Sequence, residues 1–144
     1  MISSTARYAL CAVIHLARRV ERPVAAHEIA AATGVPFDYL SKVLHMLAHA
    51  GIVNGRRGPS GGFTLAKPAD EMTLIEVVRA IDPASRASAS DPAHVGCLGM
   101  TPALRKLLDE AAEASLRALS STSVADVMEP DAAQLKPPAR RRAG

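Results

Sequence analysis

The chain has 144 residues, 17 of them Lys or Arg and 14 Asp or Glu, and 49% of it is hydrophobic, which suits one modest domain with a buried core and a small additional element. No apolar run approaches the roughly 18 residues of a membrane span and the N-terminus lacks the basic-then-apolar layout of a secretory signal, so neither is expected. The net charge of +3 is unevenly spread: residues 1–67 carry +5, residues 68–135 carry −6 and residues 136–144 carry +4, so the front half is the part expected to meet a polyanion.

From Ser4 to Val20 the residues Leu10, Val13, Ile14 and Ala17 recur at helical spacing, with Ser4 or Thr5 as N-cap and Arg18 and Arg19 in the last turn. Glu21-Arg22-Pro23 breaks this helix, and Val24–Thr33 reads as a second one stopped by Gly34. Val35-Pro36 opens a third, ending at Ala50-Gly51, with Phe37, Leu40, Leu44 and Leu47 as its apolar stripe. Its other side carries Asp38, Ser41, Lys42, His45 and His49. The period then becomes extended in Ile52–Asn54 and in Gly62–Ala66, around the Gly-rich, doubly basic segment Gly55–Gly61; this is a β-hairpin with a long tip. After a turn at Pro68–Glu71, Thr73 caps a short helix Leu74–Ile81, with Glu76 completing a capping box.

Residues 82–100 have no period and are rich in Ala, Ser, Pro and Gly, as in a functional or disordered connection. Thr101-Pro102 starts a long helix, Ala103–Leu119, whose Leu104, Leu107, Leu108, Ala111, Ser115 and Leu119 form one apolar seam. The rest of the chain is too short to cover that seam, which makes it a dimer interface rather than ordinary core. Residues 120–135 have room for one more turn.

Three short helices followed by a two-stranded hairpin is the order of a winged helix-turn-helix. The expected fold class is therefore mainly α: a winged helix-turn-helix DNA-binding domain over 1–81, a sensor-type loop over 82–100, a dimerisation helix region over 101–135 and a disordered basic tail over 136–144. In such a unit the third helix lies in the major groove while a basic hairpin tip meets phosphates or the minor groove. The candidates for DNA contact are Asp38, Tyr39, Ser41 and Lys42 on the helix and Arg56, Arg57 and Ser60 on the wing. Gly58, Gly61 and Gly62 let the wing backbone approach closely. Gly58-Pro59-Ser60-Gly61-Gly62 is not a phosphate-cradling nucleotide loop, because the Gly-Lys-Ser/Thr ending and the strand–loop–helix context are absent.

Tyr8-Ala9-Leu10, Glu28-Ile29-Ala30, Tyr39-Leu40, Ala50-Gly51-Ile52-Val53, the wing Arg57-Gly58-Pro59-Ser60-Gly61-Gly62-Phe63-Thr64-Leu65-Ala66 and Thr73-Leu74-Ile75-Glu76-Val77-Val78 together resemble the Rrf-two/IscR-type bacterial transcriptional regulators over about residues 1–120. The resemblance implies a non-enzymatic homodimer whose long C-terminal helix crosses its partner. It implies double-stranded DNA contact at the matching positions Arg7, Tyr39, Ser41, Lys42 and Arg57, on a two-fold operator and usually in repression. Relatives that sense iron–sulfur status carry three cysteines in the loop before the long helix; here only Cys97 stands there. A cluster normally takes four ligands, mostly thiolates, so an unusual set would have to combine Cys97, His94 and a group from the second subunit.

The two cysteines, Cys11 and Cys97, cannot make a disulfide framework, and a reducing cytoplasm is the expected compartment. Cys11 is expected in the core, as free cysteines usually are. Cys97, with His94, is the candidate sensor, against the plainer reading of an inert loop thiol. His45 and His49 share a helix face without a third ligand and read as solvated or phosphate-facing; His15 and His27 read as surface or boundary residues. Three signals stay open for the loop: an atypical cluster or metal, oxidation of Cys97, or a regulatory protein partner. A winged helix used only for protein interaction, or a thiol enzyme built on Cys97 and His94, are the readings from other classes, and the basic wing argues against both.

Overall fold

The computed structural model describes residues 2–82 and 99–128. In chain order these form α1 (Ser4–Ala17), α2 (Ala26–Thr33), α3 (Phe37–His49), β1 (Val53–Arg56), β2 (Gly62–Leu65), α4 (Leu74–Ile81), α5 (Pro102–Ser120) and α6 (Val124–Val127). This is the expected mainly helical chain with one small antiparallel sheet.

Helix α1 is central, packing against α2, α3, α4, α6 and β2. Its cap is Ser3 rather than Ser4 or Thr5: the Ser3 hydroxyl accepts the Ala6 N–H at 3.1 Å. The buried line is Ala6, Ala9, Ala12, Val13, Leu16 and Ala17, because small side chains let several helices approach α1 closely, while the bulkier Leu10 and Ile14 sit half-buried on the flank. Cys11 falls about half a turn around the helix from Ala9, Val13 and Leu16 and is exposed, contrary to the expectation of a core thiol. His15 is half-buried and His27 exposed, as read from the sequence.

Helix α2 begins two residues later than its sequence suggests, because Val24 is drawn into the sheet. Its N–H donates to the Phe63 carbonyl at 3.0 Å and its carbonyl accepts the Phe63 N–H at 2.8 Å, so residue 24 pairs with β2 as a one-residue strand. In α3 the buried residues are Leu40, Val43, Leu44 and Leu47. Phe37 does not join them and is 50% exposed. It is the first residue of the helix, and helical side chains lean toward the N-terminus, so its ring projects beyond the turn that the core covers.

The two wing strands pair Val53 with Leu65, Asn54 with Thr64, Gly55 with Phe63 and Arg56 with Gly62. The ladder therefore runs two residues further than the pattern Ile52–Asn54 shows, and the tip shortens to residues 57–61. Gly61 donates its N–H to the Gly58 carbonyl at 2.9 Å to close the tip. A Cβ on Gly61 would stand 2.2 Å from the Arg56 carbonyl oxygen, and one on Gly62, at φ +149°, 2.5 Å from the Val24 carbonyl carbon. The Gly-Gly pair thus folds the tip and seats the wing on residues 24–25.

At the start of α4 the Glu76 carboxylate accepts the Thr73 N–H at 2.7 Å and its hydroxyl at 3.0 Å, and also pairs with Lys67. Beyond α5, which Thr101 caps by accepting the Leu104 N–H at 3.2 Å, the chain returns to the head, the unit formed by α1–α4 with the wing β1–β2. Leu74 N–H donates to the Thr122 carbonyl at 2.9 Å, Val124 N–H to that of Met72 at 2.7 Å and Ala125 N–H to that of Ala69 at 3.0 Å. The extra turn expected after residue 120 is α6, and its Val124 is fully buried in the core of the N-terminal unit.

Candidate nucleic-acid interface

The exposed side of α3 is set by its period: with Leu40, Val43, Leu44 and Leu47 turned inward, Asp38, Lys42, His45 and His49 recur at spacings of three and four on the opposite face, all exposed. Asp38 sits in the first turn, where a carboxylate is favoured by the helix dipole and can accept from a cytosine amino group. Ser41 is half-buried at the edge of this face. On the wing, Arg56 ends β1, and Arg57 and Ser60 belong to the tip; all three are exposed. Arg7 is exposed near the N-terminal end of α1.

Tyr39 departs from the role of a free base-reading side chain. Its hydroxyl hydrogen-bonds the Thr5 hydroxyl, and its ring meets that of Tyr8 edge-on, with centroids 5.5 Å apart and planes at 84°. Such an aromatic pair contributes roughly 0.5–1.5 kcal/mol beyond burial. Tyr39 therefore fastens the N-terminal part of α3 to α1 while leaving 37% of itself exposed, with Tyr8 similarly open at 36%. Sequence reasoning passed over Thr5 and Tyr8 as site residues; the usable signal was an aromatic on the polar side of an amphipathic helix.

Ion pairs engage some of the cations. Arg22 is held bidentately by Glu28, Lys67 pairs with one Glu76 oxygen, and Lys106–Glu110 and Arg117–Glu113 are single contacts at 3.9 and 4.0 Å. Arg7 on α1, Lys42 on α3 and Arg56 and Arg57 on the wing are exposed and enter no ion pair among the described residues; the same holds for Arg18, Arg19 and Arg105, of which Arg18 donates to the Met128 carbonyl. The Arg22 guanidinium holds the Glu28 carboxyl down at about 2, and Lys67, with the Thr73 donors, lowers that of Glu76. His15 is lowered by burial first and then by Arg19. His45 and His49 find no third ligand: among the described residues no group of three His, Cys, Asp or Glu side chains could hold a metal ion.

The expected dimer seam divides in two. Leu104, Leu107 and Leu108 are 44%, 61% and 49% exposed, Ala111 and Ser115 are exposed too, and none of the helix's nineteen residues is buried. Leu119 instead packs half-buried against the core of its own chain, because the chain turns back there to dock α6. Cys97, His94 and the basic tail lie outside the described residues. Among the described residues no helix is long and apolar enough to cross a membrane.

Residues 2–130 match a family model described as Rrf2, iron-dependent transcriptional regulator. A protein of Aquifex aeolicus (strain VF5) classed as an HTH-type transcriptional regulator is 41% identical over 78 residues, so the chain spans about half the length of that relative, 54% of each being covered. Among solved structures the chain is similar to CymR (YrzC), the global cysteine regulator of B. subtilis, at 27% identity and TM-score 0.73, covering 89% of this chain and 95% of that one. It shares its fold with T. potens IscR, at 22% identity and TM-score 0.74, with 95% and 93% covered, and with Staphylococcus aureus CymR, at 24% and 0.71, with 88% and 97% covered. These are regulators of transcription rather than enzymes, and the family match spans all of the described residues. The chain belongs to the Rrf2 family of winged-helix, DNA-binding transcriptional regulators.

Proposed function

We propose that the protein works as a homodimeric repressor that places two α3 helices in successive major grooves of a two-fold operator. The observation that carries this reading is that Arg7 at the start of α1, Lys42 on the exposed side of α3 and Arg56 and Arg57 on the wing are all exposed and enter no ion pair among the described residues. In this arrangement they supply phosphate affinity, and Asp38 and Ser41 supply base contacts. Arg57, first in the tip, meets phosphate at the edge of the flanking minor groove. Ser60 donates to phosphate, and Tyr39 positions α3 through Thr5 and Tyr8.

The exposed Leu104, Leu107 and Leu108, with Ala111 and Ser115, form the dimer contact, since a face of three large apolar side chains on an uncovered helix favours self-association. Regulation enters through residues 82–100, which join α4 to α5 and carry His94 and Cys97. The family's description names iron, yet a cluster takes about four mostly thiolate ligands. This chain's thiols are Cys97 and Cys11, the latter exposed on α1, and do not fit that set. Cys97→Ser distinguishes thiol control from control by a protein partner: it abolishes an oxidant response in the first case only.

Hydroxyl-radical footprinting tests the proposal on a duplex selected by the protein from a randomised pool. Protection should fall in two symmetric patches about one helical turn, or a multiple of it, apart. A single patch, or none, contradicts the dimer on a two-fold operator.

A further inference from the structure

The head exposes an aromatic side chain that the arrangement above does not use. Phe37 is apolar, 50% exposed and the first residue of α3, between Pro36 and Asp38. Its ring has no partner in the aromatic pair formed by Tyr8 and Tyr39. The buried stripe of α3 starts at Leu40, three residues further on, so Phe37 adds nothing fully buried to the core.

Its placement is informative for two reasons. Helical side chains lean toward the N-terminus, so a side chain at the first position overhangs the end of the helix rather than lying along it. In a helix-turn-helix that end of the second helix is the one presented to base edges. The charged side of the same helix starts at the next residue, with Asp38 and then Lys42 exposed. The one apolar feature that the floor of a major groove offers is the C5-methyl group of thymine, and phenylalanine is among the side chains that contact it.

We propose that Phe37 is a specificity-determining residue that packs its ring against the C5-methyl group of a thymine in each half-site. The inference rests on the reading of α3 as the groove-entering helix. It gives the polar contact set proposed for α3 and the wing an apolar member, one that discriminates thymine from cytosine by its methyl group.

The experiment uses the full chain and the duplex it selects from a randomised pool, with each thymine replaced in turn by deoxyuridine, which removes only the methyl group. One thymine per half-site should lose about fourfold in affinity, the factor corresponding to burial of one methyl group. In Phe37→Ala that same replacement should have no further effect, while in Phe37→Leu, which keeps an apolar side chain, it should still weaken binding. Because the deoxyuridine scan is first run on the unaltered protein, it does not depend on any variant folding. The proposal is overturned if no thymine is sensitive, or if Phe37→Ala retains the full sensitivity at the same thymine; either result leaves the winged helix as a DNA reader. Recovery of no duplex at all overturns that reading and the role of Phe37 together.

Discussion

Substituting Gly62 by Ala probes whether the wing is a built part of the head. The new Cβ would lie 2.5 Å from the Val24 carbonyl carbon, 2.6 Å from its oxygen and 2.9 Å from the Ala25 nitrogen, at a φ of +149°. All three neighbours are backbone, so none can swing aside as a side-chain tip would. Keeping the native path stores strain on the order of 1–3 kcal/mol for the dihedral alone, before the overlap is counted. Releasing the wing from residues 24–25 instead gives up the two Val24–Phe63 hydrogen bonds, at about 1 kcal/mol each, and part of the Phe63 packing. Undocking is the cheaper route, and the expected loss is about 2–3 kcal/mol in thermal or urea unfolding. Amide exchange should locate it: Val24 and Phe63 lose protection while α1 and α3 keep theirs. Gly58→Ala is the internal comparison, because that glycine has a φ of +106° but no atom within 4 Å of the added Cβ. It should cost only the dihedral. A Gly62→Ala protein that unfolds like the native chain and keeps the Val24 and Phe63 protection would refute the reasoning.

Three further outcomes follow from the same geometry. Replacing Leu107 and Leu108 by Glu should convert the proposed dimer to a folded monomer in sedimentation equilibrium, since each leucine returned to water forfeits roughly 1.5 kcal/mol or more and neither is buried in the chain's own core; a persistent dimer would move the interface elsewhere. Acid should destabilise the head partly through Glu28. Its folded value near 2 lies below the ordinary 4.5, so its contribution is complete above about pH 4.5 and fades as pH falls through 2, and NMR titration should show Arg22→Ala returning that carboxyl toward 4.5. Tyr39→Phe keeps the edge-on ring pair and loses only the bond to Thr5, so DNA affinity should fall modestly with the Asp38 and Lys42 contacts intact in footprints; a complete loss of specificity would instead make the hydroxyl a direct base contact.

The sequence made much of this legible where local rules act alone. The period of α3, the Thr73–Glu76 cap, Thr101-Pro102 at the head of α5 and the Gly-rich wing all follow from side-chain spacing and capping chemistry. What escaped depends on what each element meets in space. Hydrophobicity ranks Leu10 and Ile14 above Ala6 and Ala9, yet a helix surrounded by others buries its smallest face, and Cys11 went to water for the same reason. Spacing assigns Phe37 to the stripe of Leu40 and Leu44, but period says nothing about where the covering elements end. Val24 looked helical until Phe63 offered it two hydrogen bonds, and the return of α6 to the head, with Val124 buried, comes from pairing across about fifty residues. In the candidate interface the charges were readable and the engagement of Tyr39 was not.

The central claim is that Arg7, Lys42 and the two wing arginines meet DNA phosphates, and the salt dependence of binding tests it most directly. Arg7, Lys42, Arg56 and Arg57 on two heads give about eight phosphate contacts, hence a slope of log affinity against log salt near −7, and Arg57→Ala should reduce it to about −5. A slope shallower than about −2 on the selected duplex, or one that Arg57→Ala leaves unchanged, would contradict the account.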